Sequence, residues 1–186
     1  MRHKTTITRP IYHHLAMANG CFVHPDAVIG EGCRIYAHRI GPNARIGYGV
    51  TIGAMSEVDC IVGDHSSIQA GALLYHGVTI GKQVFIGPRC TTTNDCLPDA
   101  LGGDWSERFR ETVIEDGANI GAGVTILCGV TIGAGARVGI GSLVMKDIRP
   151  GWLAFGHPAH HVRPIPTTAN AKLKVNPGTT NNNSNS

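Results

Sequence analysis

The dominant order in this chain is an aliphatic residue at every sixth position. The series starts at Ile29 and Ile35, restarts at Ile40 with Ile46, Ile52 and Val58, and restarts at Val62 with Ile68, Leu74, Ile80, Ile86 and Thr92. After an interruption it resumes at Ile114 and continues through Ile120, Ile126, Ile132, Val138 and Val144. Seventeen of these eighteen positions are Ile, Val or Leu, where ordinary composition gives roughly a quarter, so the period is a real constraint. A small or slim residue stands four places after each anchor, as at Cys33, Ala44, Val50, Ser66, Ala72, Cys90, Ala118, Val124 and Ala136. Glycine recurs directly after the anchor or three places beyond it.

A small and a long aliphatic residue two places apart both point to one side of a short strand, and glycine permits the backbone angles of a tight corner. One six-residue unit therefore predicts one wall and one corner, and three units close a triangular coil. Coils stack at about 4.8 Å, the spacing of hydrogen-bonded strands. An amphipathic helix would need anchors at 3.6-residue spacing, which this region lacks. The expected fold is all-β, a parallel β-helix over residues 23–149. A core of stacked aliphatic columns also explains how the chain manages with 5% aromatic residues.

The period breaks in three places. Ile35 to Ile40 is five residues and Val58 to Val62 is four, short enough for a corner to absorb. Between Thr92 and Ile114 the polar stretch TTNDCLPDALGGDWSERFRETV, with Pro98, Gly102 and Gly103, cannot form a wall. It predicts a protruding loop over 93–112, and a loop of that length in a compact domain is usually functional. Residues 1–22 lack the repeat and are expected to pack across the first coil. Residues 150–166 read as an extended return segment with a short helix, and the Asn-, Thr- and Ser-rich tail 167–186 as disordered.

Composition narrows the function classes. The formal charge of +3 favours an anionic ligand slightly, but no basic stripe suits nucleic acid. No apolar segment is long enough to span a membrane, and no signal peptide is apparent. Six cysteines without a C-x-x-C pair read as free thiols in a reducing cytoplasm. Cys33 and Cys90 fall on the inward column and should be inert, whereas Cys128 falls on an outward place.

His76 and Asn94 are eighteen residues apart at the same place of their hexads, which predicts that they stack one coil apart on one outer face. An Asn carbonyl can accept from a substrate amine, and a neighbouring His can take its proton. Asp95 could share that work or hold the substrate. His65 is less well aimed. Ala122 and Ile140 are also eighteen apart, between glycines that let a ligand approach the backbone.

Taken together, VHPDAVIGEGCRI (23–35), IGPRCTTTND (86–95), the looped Trp105, the run 111–148 and GHPAHHVRPI (156–165) resemble bacterial N-acetyltransferases of UDP- and dTDP-linked 3-amino sugars. The Thr93-Asn94-Asp95 run and the G-x-P-A run at Gly156–Ala159 carry most of the specificity, and the likeness covers all but the tail. It implies a left-handed coil and a cytoplasmic homotrimer with sites between neighbours. It also implies acetyl-CoA as donor, a nucleotide-sugar acceptor, and no metal, nucleic-acid or membrane partner. On this likeness Asn94, His76 and Asp95 are catalytic, and Thr93, Gln69 and Arg89 bind the acceptor. Ala122, Ile140 and Gly141 meet the pantetheine arm, while Lys146, Arg163 and His160 meet the CoA phosphates. Family members commonly carry an aromatic-Pro-Arg triplet after the Asn. Here it is Leu97-Pro98-Asp99, and the lost arginine suggests a different sugar.

Other functions are weighed against this one. O-acetyltransferases often place a His in the equivalent loop to deprotonate a hydroxyl. Residues 90–112 contain none, which favours an amine. A zinc carbonic anhydrase on this fold needs three converging imidazoles, yet no His lies between His76 and His157. A non-catalytic β-helix would need neither the loop nor the G-x-P-A ending.

Overall fold

The computed structural model describes residues 16–17, 20–96 and 104–166. Short parallel strands wind into a β-solenoid of about seven coils with three walls. The first wall has nine strands, from Ala16–Met17 through Phe85–Ile86 and Asn119–Ile120 to Ala159–Pro164. The second has seven, from Phe22–Val23 through Leu73–Leu74 and Thr91–Thr92 to Leu143–Val144. The third has six, from Val28–Ile29 through Val78–Ile80 and Thr112–Ile114 to Thr131–Ile132. Up to Thr125–Ile126 each strand pairs with the one three steps later in the chain, and the last two strands close the first wall.

The six-residue period is the core. On the first wall Ile35, Ile52, Ile68, Ile86, Ile120 and Val138 lie directly over one another. Every anchor from Ile35 to Val144 is buried, and only Ile29, on the first coil, is partly exposed. Thr92, the one polar anchor, is fully buried with its Oγ1 accepting the Tyr75 N–H at 3.1 Å, as a buried hydroxyl requires. Ser66 on the inward small column is likewise paired, donating to the Gly81 carbonyl at 2.8 Å and accepting from the Val84 N–H at 3.0 Å.

The two short intervals are absorbed at corners, and strand pairing continues in register across both. The large interruption is extruded. Ile86 and Ile120 stack directly although thirty-four residues apart, where other coils take sixteen to eighteen.

Both ends differ from expectation. Ala16–Met17 pairs in parallel with Arg34–Ile35 and so adds a strand to the first wall, while the rest of the expected packing of residues 1–22 across the first coil lies largely outside the described residues. The return segment is extended but holds no helix. Trp152–Gly156 continues the first wall on Arg137–Val138 and folds back antiparallel onto Ala159–Pro164. The reason is the open top of the core: Ala154, fully buried, closes the Val138 column. The expected disorder of 167–186 lies outside the described residues.

Carboxylates reinforce the corner between the third and first walls. Asp64 accepts the Tyr48 N–H at 3.0 Å and pairs with Lys82 at 3.1 Å. The Tyr48 amide, then Lys82, holds its carboxyl below the ordinary value of 3.8. The stabilisation is thus present above that value and is lost as pH falls through the lower folded-state value.

Two stability outcomes follow from this packing. Ile86→Ala should cost about 2–5 kcal/mol in urea unfolding, because the stacked column cannot close over the void. Asp64→Asn should destabilise at neutral pH, with the difference from the parent shrinking to nothing in acid once the parent carboxylate is protonated.

Candidate active site

The corner between the second and third walls gathers the residues picked out by spacing. The pairings of Leu73 with Thr91 and Thr92 with Ile126 put His76, Asn94 and Cys128 one above another, with Lys146 on the next coil. Thr93 is built into the ladder: its N–H donates to the Ile126 carbonyl at 3.0 Å and its Oγ1 accepts the Cys128 N–H at 2.9 Å. Asn94 is half-buried and His76 exposed, and neither side chain is hydrogen-bonded among the described residues. His76 stacks on Phe109, with centroids 5.5 Å apart and planes 23° apart.

Phe109 arrives on the returning arm of the extruded segment. Asp104 accepts the Ser106 N–H at 2.9 Å and hydroxyl at 2.6 Å, which caps a single helical turn, Trp105–Arg108. The Ser106 hydroxyl and amide hold the Asp104 carboxyl below its ordinary range. The turn delivers Arg108, whose Nε donates to Asp95 Oδ2 at 3.1 Å with both side chains largely covered. The next residue, Phe109, pairs antiparallel with Asp95. The Phe109 ring then lies over Gly77, where any side chain would strike it and where φ is +87°. Asp95, expected to share proton work or hold substrate, has its carboxylate engaged by Arg108.

The cysteine expectation is corrected here. Cys96 and Cys128 are joined as a disulfide with Cα atoms 5.9 Å apart, and Cys128 is 4% exposed rather than outward and open. The departing arm carries Cys96 back over the coil above, which covers Cys128. Cys33, Cys60 and Cys90 are buried free thiols, as the inward column requires for the first and last.

Under Phe109 a pocket of about 310 Å³ opens against the third wall, lined in part by Asn43, Arg45, Ile61, His76, Thr79 and Glu111. Arg45 is held rigid, its Nη1 donating to the carbonyls of Asp26, Pro42 and Ala44 at 2.9–3.2 Å. Sequence reasoning missed Arg45, Phe109 and Glu111. The available signal was weak, an aromatic residue returning from a polar excursion.

A second feature occupies the corner between the first and second walls. Pro88, Arg89, Ala122, Gly123, Ile140 and Gly141 line a groove of about 670 Å³. The Ala122 and Ile140 N–H groups meet no acceptor among the described residues. Gly87 and Gly121 matter here, since a Cβ at either would fall 2.6 and 2.7 Å from the Ala122 and Ile140 nitrogens.

The predicted groupings are thus partly redrawn. Gln69 and Arg89, grouped with Thr93, lie on the Ala122–Ile140 corner. Lys146, grouped with Ala122 and Ile140, lies on the Asn94 corner. Arg163 and His160 are exposed on the hairpin above the first wall, and His65 packs against Tyr48 on the third corner at 5.3 Å. The two features sit on opposite edges of the second wall and do not meet within one chain. Among the described residues no group of three or more His, Cys, Asp or Glu could hold a metal ion, and no helix is long and apolar enough to cross a membrane.

Two models of six-residue repeats match parts of the chain: the family described as bacterial transferase hexapeptide (six repeats) matches residues 59–94, and the hexapeptide repeat of succinyl-transferase matches 40–76 and 111–146. A candidate serine acetyltransferase of Schizosaccharomyces pombe is 30% identical over 166 residues, covering 89% of this chain and 46% of the relative. The chain therefore spans about half the length of the curated relative it matches. Among solved structures, a hexapeptide-repeat acetyltransferase of Vibrio cholerae complexed with acetyl coenzyme A is 29% identical with a TM-score of 0.57, over 65% of this chain and 70% of that one. A perosamine N-acetyltransferase mutant of Caulobacter crescentus, in complex with CoA and GDP-perosamine, is 25% identical with a TM-score of 0.56, over 81% and 58%.

The ring stack gives a direct check of the site. In proton NMR the His76 ring resonances should be displaced upfield by Phe109. Phe109→Leu and Gly77→Ala should both return them toward free-histidine positions, the second by expelling the ring without removing it.

Proposed function

We propose that this chain transfers the acetyl group of acetyl-CoA to the amino group of a nucleotide-linked 3-amino sugar, in a homotrimer whose sites lie between neighbours. The observation that carries the reading is the separation of the two features by the second wall. That wall turns Phe22 outward, with Tyr75 and Met145 exposed along the Asn94 edge and Met55 along the other. A cyclic partner packed on it brings one chain's groove to the next chain's Asn94 corner, so the site is complete only in the assembly.

On this reading acetyl-CoA lies in the groove, and the Ala122 and Ile140 N–H groups with Gly141 receive the pantetheine arm. Lys146 of the neighbouring corner, with Arg163 and His160, meets the phosphates. The acetyl-CoA complex of the Vibrio relative supports the donor. The acceptor rests on the Thr93-Asn94-Asp95 run and on the Caulobacter relative's GDP-perosamine. The sugar amine attacks the thioester carbonyl, a C–N bond forms, and negative charge gathers on the carbonyl oxygen, where a corner N–H can stabilise it. The C–S bond then breaks and the CoA thiolate takes up the proton lost by the amine. Asn94 orients the amine through its carbonyl, and His76 relays the proton. Asp95 acts through Arg108 as a positioning residue, and much of the rate comes from alignment.

O-acetyl transfer is the second reading, favoured by the serine named as acceptor of the fission-yeast relative. A hydroxyl needs a base, and His76 on the Asn94 corner supplies an imidazole where the loop sequence offers none. A mass-spectrometric screen of acetyl-CoA against UDP-, dTDP- and GDP-linked amino sugars and free serine separates the two. The expected product is an amide that survives hydroxylamine, whereas an ester would not. Asn94→Ala should lower turnover about a hundredfold or more, and near-parental turnover would remove Asn94 from the mechanism. His76→Ala should slow turnover, and a rate equal to the parent's would make His76 a bystander.

A further inference from the structure

We propose that Cys96 and Cys128 are a reversible thiol–disulfide site that fixes the acceptor corner when oxidised and releases it when reduced. Its effect on acceptor affinity rests on the acetyl-transfer reading above, while the thiol chemistry does not. Cys96 follows Asn94 by two residues, and Cys128 stands one coil above Asn94. The bond therefore ties the departing arm to the solenoid at the height of the proposed chemistry. From Asp95, between Asn94 and Cys96, the tie runs through the Arg108 ion pair and the Asp95–Phe109 bridge to the ring over His76 and the pocket. With the bond open, the departing arm keeps its hydrogen bonds to the coil above but loses its covalent anchor there. Of the four free cysteines three are closed to exchange, and Cys21 is partly exposed. Cys96 is partly exposed and open to a small thiol, whereas Cys33 and Cys90 are buried with their sulfurs donating to the Gly47 and Gly121 carbonyls, and Cys60 is buried outright. Burial pushes the thiols of all three up, away from the reactive thiolate.

With oxidised glutathione as oxidant the chemistry balances. The Cys96 thiolate attacks one glutathione sulfur, forming a mixed disulfide and expelling one glutathione thiolate. The Cys128 thiolate then attacks Cys96 Sγ and expels the second. The protein loses two protons and two electrons, and glutathione disulfide becomes two glutathione thiols. Dithiothreitol reverses the exchange.

The test uses the full chain, equilibrated with glutathione disulfide or with dithiothreitol and alkylated with iodoacetamide. Peptide mass mapping should show Cys96 and Cys128 protected together in the oxidised form and labelled in the reduced form. Hydrogen exchange across residues 104–111 should be faster when reduced. With a dTDP-linked 3-amino-3,6-dideoxyhexose and acetyl-CoA, the acceptor KM should rise about tenfold on reduction while kcat changes less. Cys96→Ser should show the raised KM under both conditions. Equal labelling of Cys96 in both forms, or identical exchange and identical KM, overturns the proposal. If no amino sugar is turned over, the acetyl-transfer reading falls, and labelling with exchange across 104–111 alone decides whether the site exists.

Discussion

Everything in this molecule answers to one constraint: each aliphatic anchor must rest on the anchor of the coil below. A column such as Ile52, Ile68, Ile86 and Ile120 buries its methyl groups only if every coil returns to the same azimuth. Slack of a residue or two is taken up at corners, where the backbone is already bent. A surplus as long as the one between Thr92 and Ile114 has no place inside and must leave and re-enter at one height. That is why the strand after the excursion, Thr112–Ile114, pairs in register with Val78–Ile80, as though nothing intervened. Both arms of the excursion are forced together at one corner, and Asp95 meets Phe109 there.

The same constraint assigns function to the edges of the prism. Walls commit their backbone groups to neighbouring coils, and their inward side chains to the core. At a corner the N–H groups turn out of the ladder, as at Ala122 and Ile140, and a side chain two places past an anchor can face solvent, as His76 does. A solenoid can thus vary its chemistry by changing corner residues without disturbing the column that stabilises it. The cost is separation, since two corners of one prism are held apart by a full wall. The Ala122–Ile140 groove and the Asn94 corner lie on different edges, and apolar side chains are exposed on and beside the wall between them.

How much of this was legible in the sequence follows from what spacing encodes. Eighteen residues with no slip between them mean one coil, so the stacking of His76 on Asn94 and of Ala122 on Ile140 could be read directly. Six residues mean the next corner, so within one chain Lys146 and Ile140 stand on different corners, as do Arg89 and Thr93. Those groupings came from resemblance, and the period already argued against them within one chain. The Cys96–Cys128 pair was hidden for a different reason. Their separation of thirty-two residues corresponds to no multiple of a coil until the extruded surplus is known, and only the register of Thr92 with Ile126 reveals it. Arg45, Phe109 and Glu111 were hidden because a pocket walled by an excursion and a distant coil leaves no periodic trace.

The excursion carries the last consequence. Asn94 and His76 are positioned by the solenoid itself and inherit its rigidity, since the strands before them are paired on both sides. Phe109 inherits nothing from the core. Its place depends on Asp104 capping a single helical turn, on Arg108 reaching Asp95, and on bare backbone at Gly77 to lie against. A lone turn is marginal in water, so these local contacts hold the ring where the periodic fold cannot. The site therefore joins a fixed half, set by hydrophobic stacking, to an adjustable half set by polar and covalent contacts. Changes in acceptor preference should arise in the second half, because there a substitution alters the pocket without asking the column beneath it to move.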